Sequence, residues 1–521
     1  MSNNILGQGI ARVEVNILDL STIATAGRKG IVAVAGITER GTPRTPRLIK
    51  SWIEFVRYYG GYVADSQFPH LCKRALDSGA TLLVSRIAHY SDIADVTTLA
   101  GQAATASYTY PLWGVSMKAK DFGAWGNGLT CDIVAAASGL SGKVDIVVRL
   151  AGYPQFDYIV PDVNATMTAS DIDDFNNRSR FVDIQTTYGA LQPLSGVAFT
   201  LLGYEDYTAL DENDYLGDVT AQTGLHAFDD SKEHTRIAIF EPTSNLVALH
   251  DILIDYCEVN GLMGFYPTPL FGNGWEAVDF RKREGTYTTG TAVPDTWKCR
   301  LIYGAIKVKD PRTNLPITIS VIADWVGAAA RKDNNWKEWF AEAGGKRGVI
   351  RNNSGIFYNL GTAARKDEAD AVDIAGISMA IDHETFGVVC WGNSTLQRAD
   401  TLLKHANVAE LLLYLRRTIK TIVQSELFDP NDTITWKVIY RNVAAFMDYV
   451  KAERGVYDYK YDGDQDIDNI ADATVNDPVD IAAGVYKFNL FVKPIPAMKY
   501  IGVQVVVTNS NVDLNVLANN I

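Results

Sequence analysis

Histidine and cysteine are both scarce in this sequence, at seven and five in 521 residues. The histidines, His70, His89, His226, His234, His250, His383 and His405, form no HExxH or HxH pair. The usual transition-metal signatures are therefore missing. The cysteines, Cys72, Cys131, Cys257, Cys299 and Cys390, are far apart and include no CxxC pair. That pattern suits buried thiols in a reducing compartment better than a disulfide framework or a zinc site. GxSxG is absent, which removes the nucleophile elbow of one large hydrolase class. No run approaches the roughly 18 consecutive apolar residues of a membrane span. Met1-Ser2-Asn3-Asn4-Ile5 shows no basic region before an apolar run, so no signal peptide is readable. Positive charge is in deficit: 48 Lys and Arg stand against 61 Asp and Glu, a net charge of −13. A dedicated nucleic-acid binder normally carries a basic face, so that class is disfavoured.

What remains is ordinary globular material. Hydrophobic residues make up 47% and charged residues 21%, which excludes wholesale disorder. At about 150 residues per domain the length predicts three or four domains.

The first twenty residues read as an arm, with Val13, Val15 and Ile17 at strand period. A lone terminal strand cannot satisfy its own backbone and must pair with a sheet. Residues 21–95 read as an α/β unit. Gly30-Ile31-Val32-Ala33-Val34-Ala35-Gly36 is a glycine-bounded buried strand. Ser51 with Glu54 three residues on forms a helix start, and Trp52, Phe55 and Tyr59 follow at helical spacing. Residues 96–200, rich in Ser, Thr, Ala and Gly, read as an inserted β-rich module. Residues 201–370 return to α/β. Arg236–Phe240, a helix through Leu246, Leu249, Leu253 and Cys257, and Leu262–Tyr266 form a βαβ unit that is expected to be parallel and right-handed. Residues 371–500 carry the strongest helices. One has apolar stripes Leu402, Ala406, Ala409, Leu413 and Leu412, Leu415, Ile419, Ile422; the next runs from Trp436 to Val450. A strand follows with Tyr486, Phe488, Leu490 and Val492 on one face. Residues 501–521, with Val503, Val505 and Val507 alternating, form a second extended arm.

The remaining motifs are weak. Gly344-Gly345-Lys346-Arg347-Gly348 resembles a phosphate loop, but Arg347 occupies the Ser/Thr place, and a glycine-rich turn with exposed charges is the better reading. Asp462, Asp464, Asp466 and Asp468 alternate as in calcium loops, yet Gly and Glu are missing where an EF-hand requires them. A solvated acidic loop is the commoner meaning. His250 and His405 read as ordinary helix residues. No catalytic, cofactor-binding or metal-ligating set is assigned, and no enzyme is expected.

Several segments, taken in order, carry a resemblance. Gly36-Ile37-Thr38-Glu39-Arg40-Gly41, Ser51-Trp52-Ile53-Glu54-Phe55 and Tyr59-Gly60-Gly61 come first. Ala119-Lys120-Asp121-Phe122-Gly123-Ala124-Trp125-Gly126-Asn127 follows, with Phe122 where a Pro is usual. Asp214-Tyr215-Leu216-Gly217, Thr223-Gly224-Leu225 and Val389-Cys390-Trp391-Gly392-Asn393-Ser394-Thr395-Leu396 come next. Asn431–Trp436 and Gly484–Pro494 close the series. Together they resemble the contractile tail sheath proteins of myophages, R-type bacteriocins and contractile injection systems.

The resemblance implies an α/β (α+β multidomain) fold. Its core is a mixed sheet plus helices built from the N- and C-terminal parts, with inserted outer domains and extended terminal arms. It implies a virion or injection-particle subunit, assembled in the host cytoplasm into stacked hexameric rings around an inner tube. Arms exchanged between copies would join them. The implied partners are the tube protein, the baseplate and the terminator or collar, with no nucleic acid and no membrane insertion. Val13, Val15, Ile17, Val503, Val505 and Val507 are the candidate arm residues. Lys404, Arg416, Arg417 and Lys420 are candidates for facing an acidic tube, or else plain surface charges near a helix end. Two other readings stay open on the residues alone: another virion shell or adhesin component, and a subtilisin-like hydrolase with a scattered Ser and His.

Overall fold

The computed structural model describes residues 30–499 apart from 64–65, 91–106, 111–114, 122–123, 188–189, 192–193, 199–209, 232–233, 242–245 and 289–291. The candidate arm residues Val13, Val15, Ile17, Val503, Val505 and Val507 lie outside the described residues.

An eight-stranded sheet organises the chain. Its spatial order is Gly387–Trp391, Ile377–His383, Cys299–Tyr303, Met263–Pro267, Arg236–Ile239, Ile31–Gly36, Thr81–Arg86 and Arg47–Ile49. The six inner strands are parallel, and the two outermost pair antiparallel with their neighbours. Inner parallel strands are covered on both faces, so they read as continuous apolar runs. Ile31–Gly36 is buried at every position. Its alternate side chains enter two separate cores. Val32 and Val34 pack with the helices Trp52–Tyr59, Phe68–Asp77 and Ile322–Asn335, and Ile31, Ala33 and Ala35 with residues of Leu246–Asn260 and Gly274–Lys282. The result is a three-layer α/β/α arrangement.

Local sequence explains the element ends. Ser51 Oγ accepts from Glu54 N at 3.2 Å, while the Glu54 carboxylate accepts from Lys50 N at 2.9 Å. Asn273 and Asp432 cap their helices in the same way. The expected βαβ unit is present, with Arg236–Ile239 and Met263–Pro267 parallel neighbours joined through Leu246–Asn260.

The large sheet takes strands from residues 31–86, from 236–303 and from 377–391. The segments expected as 21–95, 201–370 and the start of 371–500 therefore share one sheet. The stretch expected as 96–200 forms antiparallel sheets of four and three strands, plus a helix, Ala169–Arg178, that the strand-like runs hid. That helix opens on a capping box from Thr168 and Asp171.

The C-terminal helices are Ala406–Gln424 and Thr433–Ala452. They differ from expectation at one end. Leu402 belongs to a short 3₁₀ turn before the helix and is exposed, and His405 occupies the N-cap. A two-stranded antiparallel sheet, Val456–Asp462 with Asn489–Pro494, packs Tyr459, Tyr461, Leu490 and Val492 against these helices. Tyr486 and Phe488 pack there too, just ahead of the strand. The acidic loop is not simply solvated. Asp464 is buried, and its carboxylate accepts from the backbone N of Thr474, Val475 and Asn476. Burial alone would raise its pKa, but these bonds outweigh it and hold it near 2. No helix among the described residues is long and apolar enough to cross a membrane.

Candidate functional site

Three constructions hold the parts of the molecule against the central sheet. The first gathers several of the motif residues at one junction. Arg40 follows the strand Ile31–Gly36 and is fully buried. Its Nη2 donates to Val56 O at 2.6 Å. Its guanidinium carbon lies 5.0 Å from the Tyr153 ring centroid, 5.2 Å from Phe181, 5.8 Å from Trp125 and 6.0 Å from Phe156. Those rings belong to the β-rich module, so a cation from the sheet domain sits in aromatic faces of the insertion. Burial pulls the Arg40 pKa down against the raising effect of Glu39. Glu39 accepts from Gly61 N at 2.7 Å and from the Tyr153 hydroxyl at 3.0 Å. A Cβ on Gly60, where φ is +85°, would stand 2.1 Å from Glu39 Oε2, so Gly is required there. A second contact to the segment after this module is His89 Nδ1 to Asp214 Oδ2 at 2.8 Å.

The second construction is a buried ionic network. Arg236 and Arg300 come from inner strands, Lys332 and Asp333 from the Ile322–Asn335 helix, Glu342 from a loop and Glu410 from the Ala406–Gln424 helix. None of the six is more than 3% exposed. Arg236 donates to both oxygens of Glu410, at 3.1 and 3.0 Å, and to Asp333. Lys332 donates to Glu410 and to Glu338 O, and sits 3.7 Å from Glu342. Arg300 donates to Glu342 and stacks over Trp325 at 5.0 Å. Three cations meet three anions, so the network carries no net charge, the condition under which buried ions are tolerated. Burial pushes the Glu410 carboxyl up, and Arg236 and Lys332 more than reverse it, holding it low. The network fixes the C-terminal helices to the sheet.

The third pins the chain just before its C-terminal segment. Asn393 and Asn407 bond to each other, Asn393 Nδ2 to Asn407 Oδ1 at 2.7 Å and Asn407 N to Asn393 Oδ1 at 3.0 Å. Asn407 also donates to Ile495 O at 3.1 Å and accepts from Ala497 N at 3.2 Å. Lys499 Nζ reaches Asp373 at 3.2 Å and Ser394 Oγ at 3.3 Å. The 495–499 segment forms one wall of a cavity of about 1070 Å³, with Trp339, Met379 and Trp391 among the other lining residues.

Comparisons with known proteins agree with this architecture. No protein-family model matches the chain. The sheath tail protein of Listeria innocua superposes with a TM-score of 0.58 at 16% identity, covering 91% of this chain and 98% of its own. The helical sheath of the anti-feeding prophage in its contracted state gives a TM-score of 0.54 at 11% identity, covering 96% and 99%. The tail sheath protein of Enterobacteria phage T4 is 25% identical over 242 residues, 46% of this chain and 35% of that protein. The tail sheath protein of Vibrio phage KVP40 is 24% identical over 235 residues, 43% and 33%. The chain thus matches about a third of the length of these curated relatives.

The chain has the tail sheath fold. Within that sheath fold the four candidate tube-facing cations are not equivalent. Arg417 donates to Glu338 at 2.6 Å, with its side chain only 19% exposed. Arg416 lies against Gly261, where a Cβ would come 2.2 Å from Nη1. Lys404 pairs with Asp400 at 3.1 Å on an open surface, a contact worth little. Lys420 is exposed. Arg416 and Lys420, four apart, share one helix face. Of the histidines, only His89 takes part in these junctions through its ring among the described residues, by its bond to Asp214. His250 is stacked on Tyr266 at 4.7 Å in the core. All five cysteines are buried and free. Sequence reasoning missed the ionic network and the Arg40 junction. Single charges inside apolar strands, as in Arg236-Ile237-Ala238-Ile239 and Cys299-Arg300-Leu301-Ile302-Tyr303, were the available signal.

Proposed function

We propose that this chain is a structural subunit of a contractile tail sheath. It polymerises as stacked hexameric rings around an inner tube and contracts to drive the tube through the target envelope. The supporting observation is the two-stranded sheet Val456–Asp462 with Asn489–Pro494. No other strand among the described residues pairs with either of its outer edges. An unpaired edge is a template for strand addition. In this reading residues 1–20 and 501–521, with Val13, Val15, Ile17, Val503, Val505 and Val507, supply strands to neighbouring copies. The pinned 495–499 segment sets the direction in which the second arm leaves.

The division of labour follows. The 96–200 module faces outward, the shared sheet forms the body, and the C-terminal helices face the tube through Arg416 and Lys420, with Lys404 and Arg417 beside them. Baseplate and terminator or collar proteins cap the assembly, which forms in the host cytoplasm and resides in the virion tail or injection particle. Energy stored at assembly drives contraction as a change of intersubunit contacts, without a nucleotide.

Electron microscopy of the purified chain at rising concentration, alone and with its tube protein, tests this. Hollow striated tubes are expected. A monomer that persists with the tube protein present would overturn it. Deleting residues 1–18 should leave a folded monomer that makes no tubes, and unimpaired polymerisation would refute the arm assignment.

A further inference from the structure

Against a net charge of −13, one cavity of about 770 Å³ is strongly basic. It lies between the Phe68–Asp77 helix, the Ile322–Asn335 helix, the end of the strand Ala305–Lys309 and the loop at 345–352. Asp77 is the single carboxylate among the residues lining it. Several of the cations are already engaged. Arg74 bonds Asp324 and the carbonyls of Arg351 and Asn352, and Arg331 bonds the carbonyls of Ser78 and Val349. These form a rigid positive floor. Lys309, Lys346 and Arg351 are exposed and bond no described residue through their side chains.

The same chain carries the complement. Asp464, turned inward, closes the loop from 464 to 476 and leaves Asp466, Asp468 and Asp472 exposed at its tip. The two features are far apart within one copy. Asp468 bonds Lys437 near the start of the Thr433–Ala452 helix, whereas Lys337, next to the cavity residue Trp336, bonds Tyr449 near its end. Twelve residues of helix separate Lys437 from Tyr449, about 18 Å. Lys437 and Asp468 are 40% and 94% exposed, so their pair holds the tip only weakly.

We propose that the basic cavity receives the acidic tip, residues 466–472, of a second copy of this chain. Different patches on the two partners make the contact head-to-tail, the type that propagates into rings or helices. This contact depends on the two charged patches and does not need the arms.

Two full-length variants test it. One carries Lys309→Glu, Lys346→Glu and Arg351→Glu, and the other Asp466→Lys, Asp468→Lys and Asp472→Lys. All six positions are exposed, and circular dichroism confirms folding before use. Sedimentation at low salt is expected to show wild-type self-association that falls steeply as salt rises. Each variant alone should associate at least tenfold more weakly than wild type. An equimolar mixture should recover association, because each variant's cavity then meets a tip of opposite charge. A mixture no better than its components, variants that associate like wild type, or a wild type that is monomeric at low salt would each overturn the proposal. Tubes that form unchanged from either variant would overturn it while leaving the sheath reading intact.

Discussion

The two attachments to the central sheet use opposite chemistry. The β-rich module is held around one cation, Arg40, set in its aromatic faces, with the Tyr153 hydroxyl donating to Glu39 beside it. The C-terminal helices are held by six mutually bonded charges from four elements and a loop. A ring face attracts a guanidinium over a broad range of positions, so the first junction tolerates small rotations. Paired buried ions do not, since a displaced partner leaves a charge without water. The first construction is thus the more tolerant of a small change of pose, and the second the more rigid.

The largest effect is expected from breaking the network. Lys332→Met leaves Glu410 and Glu342 under-neutralised and should cost about 3–5 kcal/mol by urea unfolding. Arg40→Met keeps most of the volume and should cost about 2 kcal/mol, the order of a desolvated cation–π contact. Equal losses at the two sites would show that the two attachments are equally rigid. The double variant should sum the single losses within about 0.5 kcal/mol, because the two sites share no partner.

Glu241 is a lone buried acid outside both attachments. Its carboxylate accepts from Gln67 N at 3.1 Å, and burial pushes its pKa up to about 7. The folded state then keeps a proton that the unfolded chain releases near the ordinary Glu value. Stability is therefore lost as pH rises from about 4.5 towards 7. Glu241→Gln keeps an acceptor and should be more stable than wild type above pH 7, by about 3 kcal/mol, with the gap closing below about pH 5. A pH-independent gap would show that ionisation is not its source. The smallest effect concerns the pinned segment. Asn407→Ala should cost about 1 kcal/mol globally, and amide exchange at 495–499 should accelerate more than in the surrounding helices.

Local patterns were readable because they depend on neighbours in sequence. The glycine-bounded strand at 30–36, the Ser51 cap and the βαβ unit at 236–267 all rest on contacts a few residues apart or on a period. The junctions were not readable, since Arg40 meets Tyr153 and Arg236 meets Glu410 across long stretches of chain with no periodic trace. The helix start was misplaced at Leu402 because an apolar residue in the preceding turn continues the stripe without joining the helix. The acidic loop was half legible: its charge was evident, but not that Asp464 alone turns inward.

The order of strands also imposes a schedule on synthesis. Ile31–Gly36 lies between Thr81–Arg86, made soon after it, and Arg236–Ile239, made two hundred residues later. At about 5–20 residues per second the ribosome needs roughly 10–40 s to deliver that second neighbour. During this interval one flank of an apolar parallel strand has no native partner, while the antiparallel module between can fold on its own local pairings. The pairing of Ile31–Gly36 with Arg236–Ile239 therefore completes the body of the molecule only after the whole insertion has been synthesised.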